Sequence, residues 1–240
     1  LGNIDGSESN VLTLALAKRY DFGLNFDVSY AYTDSEIVSE GTSSRGISNW
    51  RALFTDDRNN PSPRTSPFQQ EHSFKFNFGY ERNFVSNLST RVDLFGRLFK
   101  GDVWSTSFDV TPFNALFGRA ENLFRNAPFD NSPLYIPTPV SDPTVVFGSG
   151  FDVAGFFDYV ERNGLPVGKI HDPYSETLDD WNNIWDLRFQ QELPGIPGLS
   201  RFVGENRFKL ILDIENFANL LNSDWGKFTN GPRFGQANIV

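Results

Sequence analysis

The chain has 240 residues but no cysteine, no methionine and only two histidines. Without cysteine there is no disulfide scaffold, no thiolate metal site and no sulfur nucleophile. His72 and His171 form no pair at ligand spacing, which leaves zinc without a ligand set, and both are expected to be solvated. The absence of methionine sets the expectation of a processed product or an excised piece. Cationic residues are in deficit, 21 Lys and Arg against 30 Asp and Glu, for a net charge of −9. Phosphate backbones are bound by clustered Lys and Arg, so no nucleic-acid partner is expected. No stretch approaches 18 consecutive apolar residues, which excludes a membrane-spanning helix, and no signal-peptide pattern is visible.

What the chain does have is aromatic side chains. They make up 15% of it, 25 of them Phe, while the mean hydropathy stays negative at −0.38. The two facts meet in an alternation. Leu24, Phe26, Val28, Tyr30 and Tyr32 are interleaved with Gly23, Asn25, Asp27, Ser29 and Ala31. Successive strand side chains point to opposite faces, so this segment is a strand with one greasy aromatic face and one polar face.

Five further copies follow. Val11 to Ala17 and Leu24 to Thr33 form a hairpin through Tyr20-Asp21-Phe22-Gly23. The third strand sets Phe74, Phe76, Phe78 and Tyr80 against Ser73, Lys75, Asn77 and Gly79. In the fourth, Leu88, Thr90, Val92, Leu94, Gly96 and Leu98 are uncharged, while Arg91, Asp93 and Arg97 share the other face with Phe95; this strand is expected to run on through Trp104 towards Val110. Trp185, Leu187 and Phe189 mark a fifth strand, ended by the Pro194–Gly198 segment. Phe208, Leu210, Leu212 and Ile214 mark a sixth, and a seventh starts near the C-terminus. Between them lie two long connections, 34–71 and 111–181. The second contains the one good helix pattern, Phe151 to Arg162, with Asp152 in its first turn and Asn163-Gly164 as its stop. Phe156 and Phe157 on that helix either cover an opening or pack within their own loop, and packing is the expected role.

Connection lengths alternate between short (20–23, 82–87, 193–206) and very long. Unstructured links above roughly 15 residues are uncommon inside compact domains. Barrels that cross outer membranes have short turns at one end and long loops at the other, with lipid outside and polar filling inside. The predicted fold is therefore all-β: an antiparallel transmembrane β-barrel segment with long extracellular loops and one short loop helix. Charge fixes the orientation, since an Arg facing lipid near the midplane costs about 2–4 kcal/mol. Six strands cannot close such a barrel, and open edges are not tolerated in hydrocarbon, so residues 1–240 are expected to be part of a larger wall.

Little in the chain suggests catalysis. Neither histidine sits beside a nucleophile elbow, so the chain is not expected to be an enzyme, and no cofactor or metal is indicated. Asp56-Asp57 and Asp179-Asp180 lack the spacing of a calcium loop and read as turn residues. The best functional feature is a ladder of charge on the polar face: Lys75, Glu81, Arg91, Asp93, Arg97, Asp186, Arg188, Lys209, Asp213 and Glu215. It would either line a lumen and contact a plug or solute, or hydrate and pair across strands.

Trp181-Asn182-Asn183, Trp185-Asp186-Leu187-Arg188 and Asp213-Ile214-Glu215-Asn216-Phe217, continuing through Asn219-Leu220-Leu221-Asn222 to Asp224-Trp225-Gly226, resemble the C-terminal part of Oar-like TonB-dependent outer-membrane receptors. The helix-bearing loop, with Phe151-Asp152 and Asn163-Gly164-Leu165, resembles the same subgroup. The resemblance implies a 22-stranded barrel in the bacterial outer membrane, with lipid and lipopolysaccharide around it, an N-terminal plug, energy supplied through TonB and gated passage of a bulky ligand. The plug and the TonB-contacting segment would lie upstream, and Asn238-Ile239-Val240 lacks the aromatic strand that closes such barrels. A rival from another class is a soluble β-sandwich adhesion or carbohydrate-binding module, with its aromatic faces packed sheet to sheet and loop aromatics such as Trp50 stacked on sugars. A passive porin or plugless adhesin is a third possibility.

Overall fold

The computed structural model describes residues 5–108, 133–139, 141–178, 181–196, 198, 200–204, 206–229 and 236–238. In chain order the elements are β1 (Glu8–Arg19), β2 (Leu24–Ile37), α1 (Gly46–Ala52), β3 (Arg64–Thr65), β4 (His72–Val85), β5 (Leu88–Phe99), β6 (Val103–Ser107), β7 (Tyr135–Ile136), α2 (Val153–Arg162), β8 (Lys169–Ile170), β9 (Glu176–Thr177), β10 (Asn182–Leu193), α3 (Ser200–Val203), β11 (Phe208–Ile214), α4 (Phe217–Leu221) and β12 (Gln236–Asn238). The protein is mostly antiparallel sheet with a few short helices.

Six strands form one meander in the order β1-β2-β4-β5-β10-β11, with β3 adding a short pair to the end of β2. Every neighbour in this path is antiparallel and next in the series of long strands, so the turns at 20–23, 86–87 and 194–207 share one end. The connections 38–71 and 100–181 share the other. Among the described residues β1 and β11 pair on one side only, which leaves both edges of the sheet without a further strand there.

Register carries the two-faced pattern across strands. Leu16, Val28, Phe76, Gly96 and Trp185 form one continuous row, and Phe26, Phe78, Leu94 and Leu187 form the next. At Gly96 the missing side chain is essential. A Cβ there would lie 2.2 Å from the Trp185 ring, which instead crosses β5 and stacks on Phe76 at 5.6 Å between centroids. Phe76 in turn lies in a stack with Phe74 and Phe78, at 6.3 and 6.4 Å.

No buried apolar side chain among the described residues belongs to any of these six strands. Among the described residues the other two sheets make no extensive contact with them, and α4 sits against β10. The buried cores are in the long connections. One comprises Leu134, Ile136, Phe156, Val160 and Leu165, and a second Phe54, Val103 and Tyr174. Helix α2 thus packs within its own loop, as its pattern suggests. Asp152 accepts the Gly155 N–H at 2.9 Å, and Gly164 follows the helix with φ +63°.

Three expectations need correction. β5 stops at Phe99; Lys100, Gly101 and Asp102 intervene, and β6 leaves the meander for a small sheet ordered β12-β6-β9. The strand expected near the C-terminus is there as β12, which runs parallel to β6. The 34–71 connection begins as strand, since β2 continues to Ile37, and it holds α1 and β3. His171 is not solvated: it is 1% exposed. Its Nδ1 accepts from the Thr106 hydroxyl at 2.8 Å, its Nε2–H faces Ser175 Oγ at 3.1 Å, and that hydroxyl donates to the Asp172 carbonyl at 2.8 Å. Polar neighbours from β6 and the 171–175 turn make burial affordable for a neutral imidazole.

Candidate functional site

The polar face of the meander is concave. A trough of about 500 Å³ is lined by Ala15 and Ala17 of β1, Asp27 and Ser29 of β2, Lys75 and Asn77 of β4, Phe95 and Arg97 of β5, and Ile184 and Asp186 of β10. Leu16, Val28, Phe76 and Gly96, the row between these residues, also border the trough, so two rows of polar parity flank a shared floor. The alternation that brings them there is the period of the strand itself.

The ladder divides into two regions. Towards the short-turn end the charges are paired. Arg91 donates to both carboxylate oxygens of Asp93, at 2.8 and 2.7 Å, and reaches Glu81 at 3.3 Å. Ser89 donates to Glu81 at 2.7 Å, and Gln190 adds a longer contact to Asp93, 3.4 Å. Arg188 and Asp213, opposite each other in register, form a fork at 2.6 and 3.0 Å. Asp93 is only 2% exposed yet fully partnered. These five residues behave as a structural lattice of charge-assisted hydrogen bonds.

Within the trough the charges are not paired. Lys75 and Arg97 stand directly opposite one another, and among the described residues neither has a carboxylate within 4 Å. Arg97 donates to the Gln70 side chain at 2.7 Å and lies over the Phe99 ring at 4.2 Å. Asp186 accepts the backbone N–H of Asn216 at 2.7 Å, so it terminates β11 and starts α4 rather than pairing with a cation. Lys209 lies opposite Glu192 at the sheet edge, and Glu215 lies one residue beyond β11, exposed. The structure therefore does not bring these last two into the trough.

The charge ladder omits Asp27, Ser73 and Asn77, although the parity that places Lys75 places them too. Two of their atoms stand out. Ser73 Oγ and Asn77 Oδ1 are sealed from solvent and have no hydrogen-bond partner among the described residues. Asp56 and Asp57 accept local backbone N–H groups, as turn residues do, and Asp179-Asp180 lies outside the described residues. Among the described residues, no group of three or more His, Cys, Asp or Glu is arranged to hold a metal ion.

The opposite face has its own pattern. At the loop end Tyr30, Tyr32, His72, Phe74 and Trp181 cluster, with Tyr30 Oη 2.9 Å from His72 Nδ1 and Lys100 Nζ 5.1 Å from the Trp181 ring. At the turn end Tyr20 lies against Phe22 and Phe26, and Tyr80 against Phe84. Aliphatic and Phe side chains fill the band between. Leu24 to Tyr32 spans about 27 Å at the usual strand rise.

No protein family model, curated protein or solved structure matches the chain.

Proposed function

We propose that this chain is wall and loops of a bacterial outer-membrane β-barrel, of the TonB-dependent receptor kind its Trp181–Gly226 text resembles. Long loops would capture a bulky ligand at the outer surface, and a plug from elsewhere would gate its passage along the polar face. The observation that carries this reading is the sheet without a core. A solvated antiparallel sheet buries one face against another layer, whereas here Leu14, Leu16, Phe78, Val92 and Leu212 are more than a third exposed. Contiguous apolar surface of that extent marks a membrane or partner contact.

Other observations agree. Aromatic clusters bracket the apolar band at both ends, as interfacial girdles do. All long connections share one end, and charge on the apolar face is kept to the strand ends, at Glu8, Lys18, Asp34, Glu36 and Arg82. The unpaired edges of β1 and β11 need further strands in hydrocarbon, which fits a wall within a larger barrel. The sandwich alternative needs a second sheet about 10 Å away, and the described residues supply none.

Because the chain lacks cysteine, single-cysteine labelling has no background. With the whole chain in lipid vesicles, a polarity-sensitive label at Phe78→Cys should be quenched by brominated acyl chains, and one at Asn77→Cys should not. Equal quenching at both positions, or a stable monomer without detergent, would overturn the membrane reading.

A further inference from the structure

We infer that Lys75 and Arg97 form a two-cation seat for a carboxylate group entering the trough. Like charges placed directly across a ladder destabilise a sheet unless something of opposite sign lies between them, and such neighbours have Cβ atoms about 5 Å apart. A carboxylate oxygen can accept from each cation at that separation. Elsewhere on this face Arg91 and Arg188 have acidic partners, whereas Lys75 and Arg97 have none within 4 Å among the described residues. Arg97 is held in place by Gln70 and by the Phe99 ring, which fixes one side of the seat.

A second observation is independent of charge. Ser73 Oγ and Asn77 Oδ1, two residues before and two after Lys75 on the same face, are solvent-sealed and unpartnered among the described residues. Sealed polar atoms without partners are rare in folded proteins. Asn77 lines the trough and Ser73 does not, so it is the Asn77 amide that, once turned, would bring its oxygen to an N–H beside the carboxylate. Asp27 and Asp186 line the same trough. They disfavour a densely charged dianion such as phosphate, leaving a singly charged carboxylate next to a donor group as the fitting chemistry. An amino-acid-like solute and an acidic side chain beside its own peptide N–H both present this. The seat requires only the trough and its polar parity, so it stands apart from whether the other face meets lipid.

The test titrates the whole 240-residue chain in detergent, at low ionic strength, with N-acetylglycine, an N-acetylated and C-amidated Gly-Glu-Gly peptide or inorganic phosphate. Binding is read by calorimetry and by the NMR shift of the Lys75 side-chain nitrogen. A Lys75 shift that saturates with either carboxylate probe, and at least tenfold weaker binding in K75Q/R97Q, are expected. Saturation with the free amino-acid derivative would identify a small solute as sufficient, whereas saturation with the peptide alone would identify a polypeptide segment. Saturation only with phosphate, no Lys75 shift with any probe, or undiminished affinity in the double variant would overturn the seat. The NMR arm uses the unaltered chain, so it is decisive even if the double variant fails to fold.

Discussion

At the scale of single residues, the absence of a side chain at position 96 matters as much as any group present. Gly96 lets the Trp185 indole lie flat across β5 onto Phe76, and a methyl group there would overlap the ring. Gly96→Ala should lower stability by about 1–3 kcal/mol, the usual cost of overpacking. It should also shift tryptophan emission as the ring lifts away, and an unchanged melting curve would contradict the stacking role. His171 makes a different prediction. Burial depresses its pKa below 6.5, with Glu176 and Asp172 opposing and Lys169 reinforcing. The unfolded chain therefore binds the proton more readily than the folded one. Stability is fully present above about pH 6.5 and falls as pH drops from there towards the depressed folded value. A protonated Nδ1 would also confront the Thr106 N–H with another donor. Protection factors at β6, which remove the intrinsic pH dependence of exchange, should be lower at pH 5 than at pH 7.5, and His171→Gln should abolish that difference. Asp142, held at about 2 chiefly by the Thr144 hydroxyl and N–H, loosens only under far stronger acid, so the two effects separate by pH.

At the scale of elements, α2 is stabilised by its cap as well as by its buried face. Asp152→Ala removes an acceptor for the Gly155 N–H and should cost the loop core about 1 kcal/mol, measurable as faster amide exchange along the helix. Asp152→Asn should retain most of the protection. This helix was legible because capping and a 3.6-residue period are local signals. The six long strands were legible for the same reason, since Leu24 to Tyr32 or Phe74 to Tyr80 declares its two faces without reference to any neighbour. Elements made by distant pairing were not. Arg64 of β3 donates to the Val38 carbonyl at 2.7 Å and contacts Glu40, and nothing in Pro63-Arg64-Thr65 announces that contact. β6 reads as more of β5 because Trp104 keeps the parity, but Gly101 and Asp102 redirect the chain. Parity correctly put the ladder on one face. It could not say that Arg91 and Arg188 would find carboxylates while Lys75 and Arg97 would not, because that depends on cross-strand register. His171 was missed since its partners, Thr106 and Ser175, come from separate segments.

At the scale of the whole molecule, the sheet divides space into an apolar and a charged side, and one residue step exchanges them. Adjacent positions on β5 test this. In lipid vesicles, Leu94→Arg should destabilise folding by about 2–4 kcal/mol if that face lies near the membrane midplane. Phe95→Arg, one residue on, should fold much as the unaltered chain does. Denaturant titration of both variants measures the contrast, and equal losses would deny the sheet a lipid-facing side.

The small loop cores carry a consequence for assembly. Phe54 comes from the 38–71 connection and Val103 and Tyr174 from 100–181, with β4 and β5 between them, so their meeting closes large loops and is entropically costly until those strands are joined. The hairpins are therefore expected to be set first and the loop core to form last, as a latch over a sheet already joined. Unfolding should run in the reverse order. Proteolysis or exchange should find the loop core open while the hairpins remain paired, so loss of the loop layer need not mean loss of the sheet.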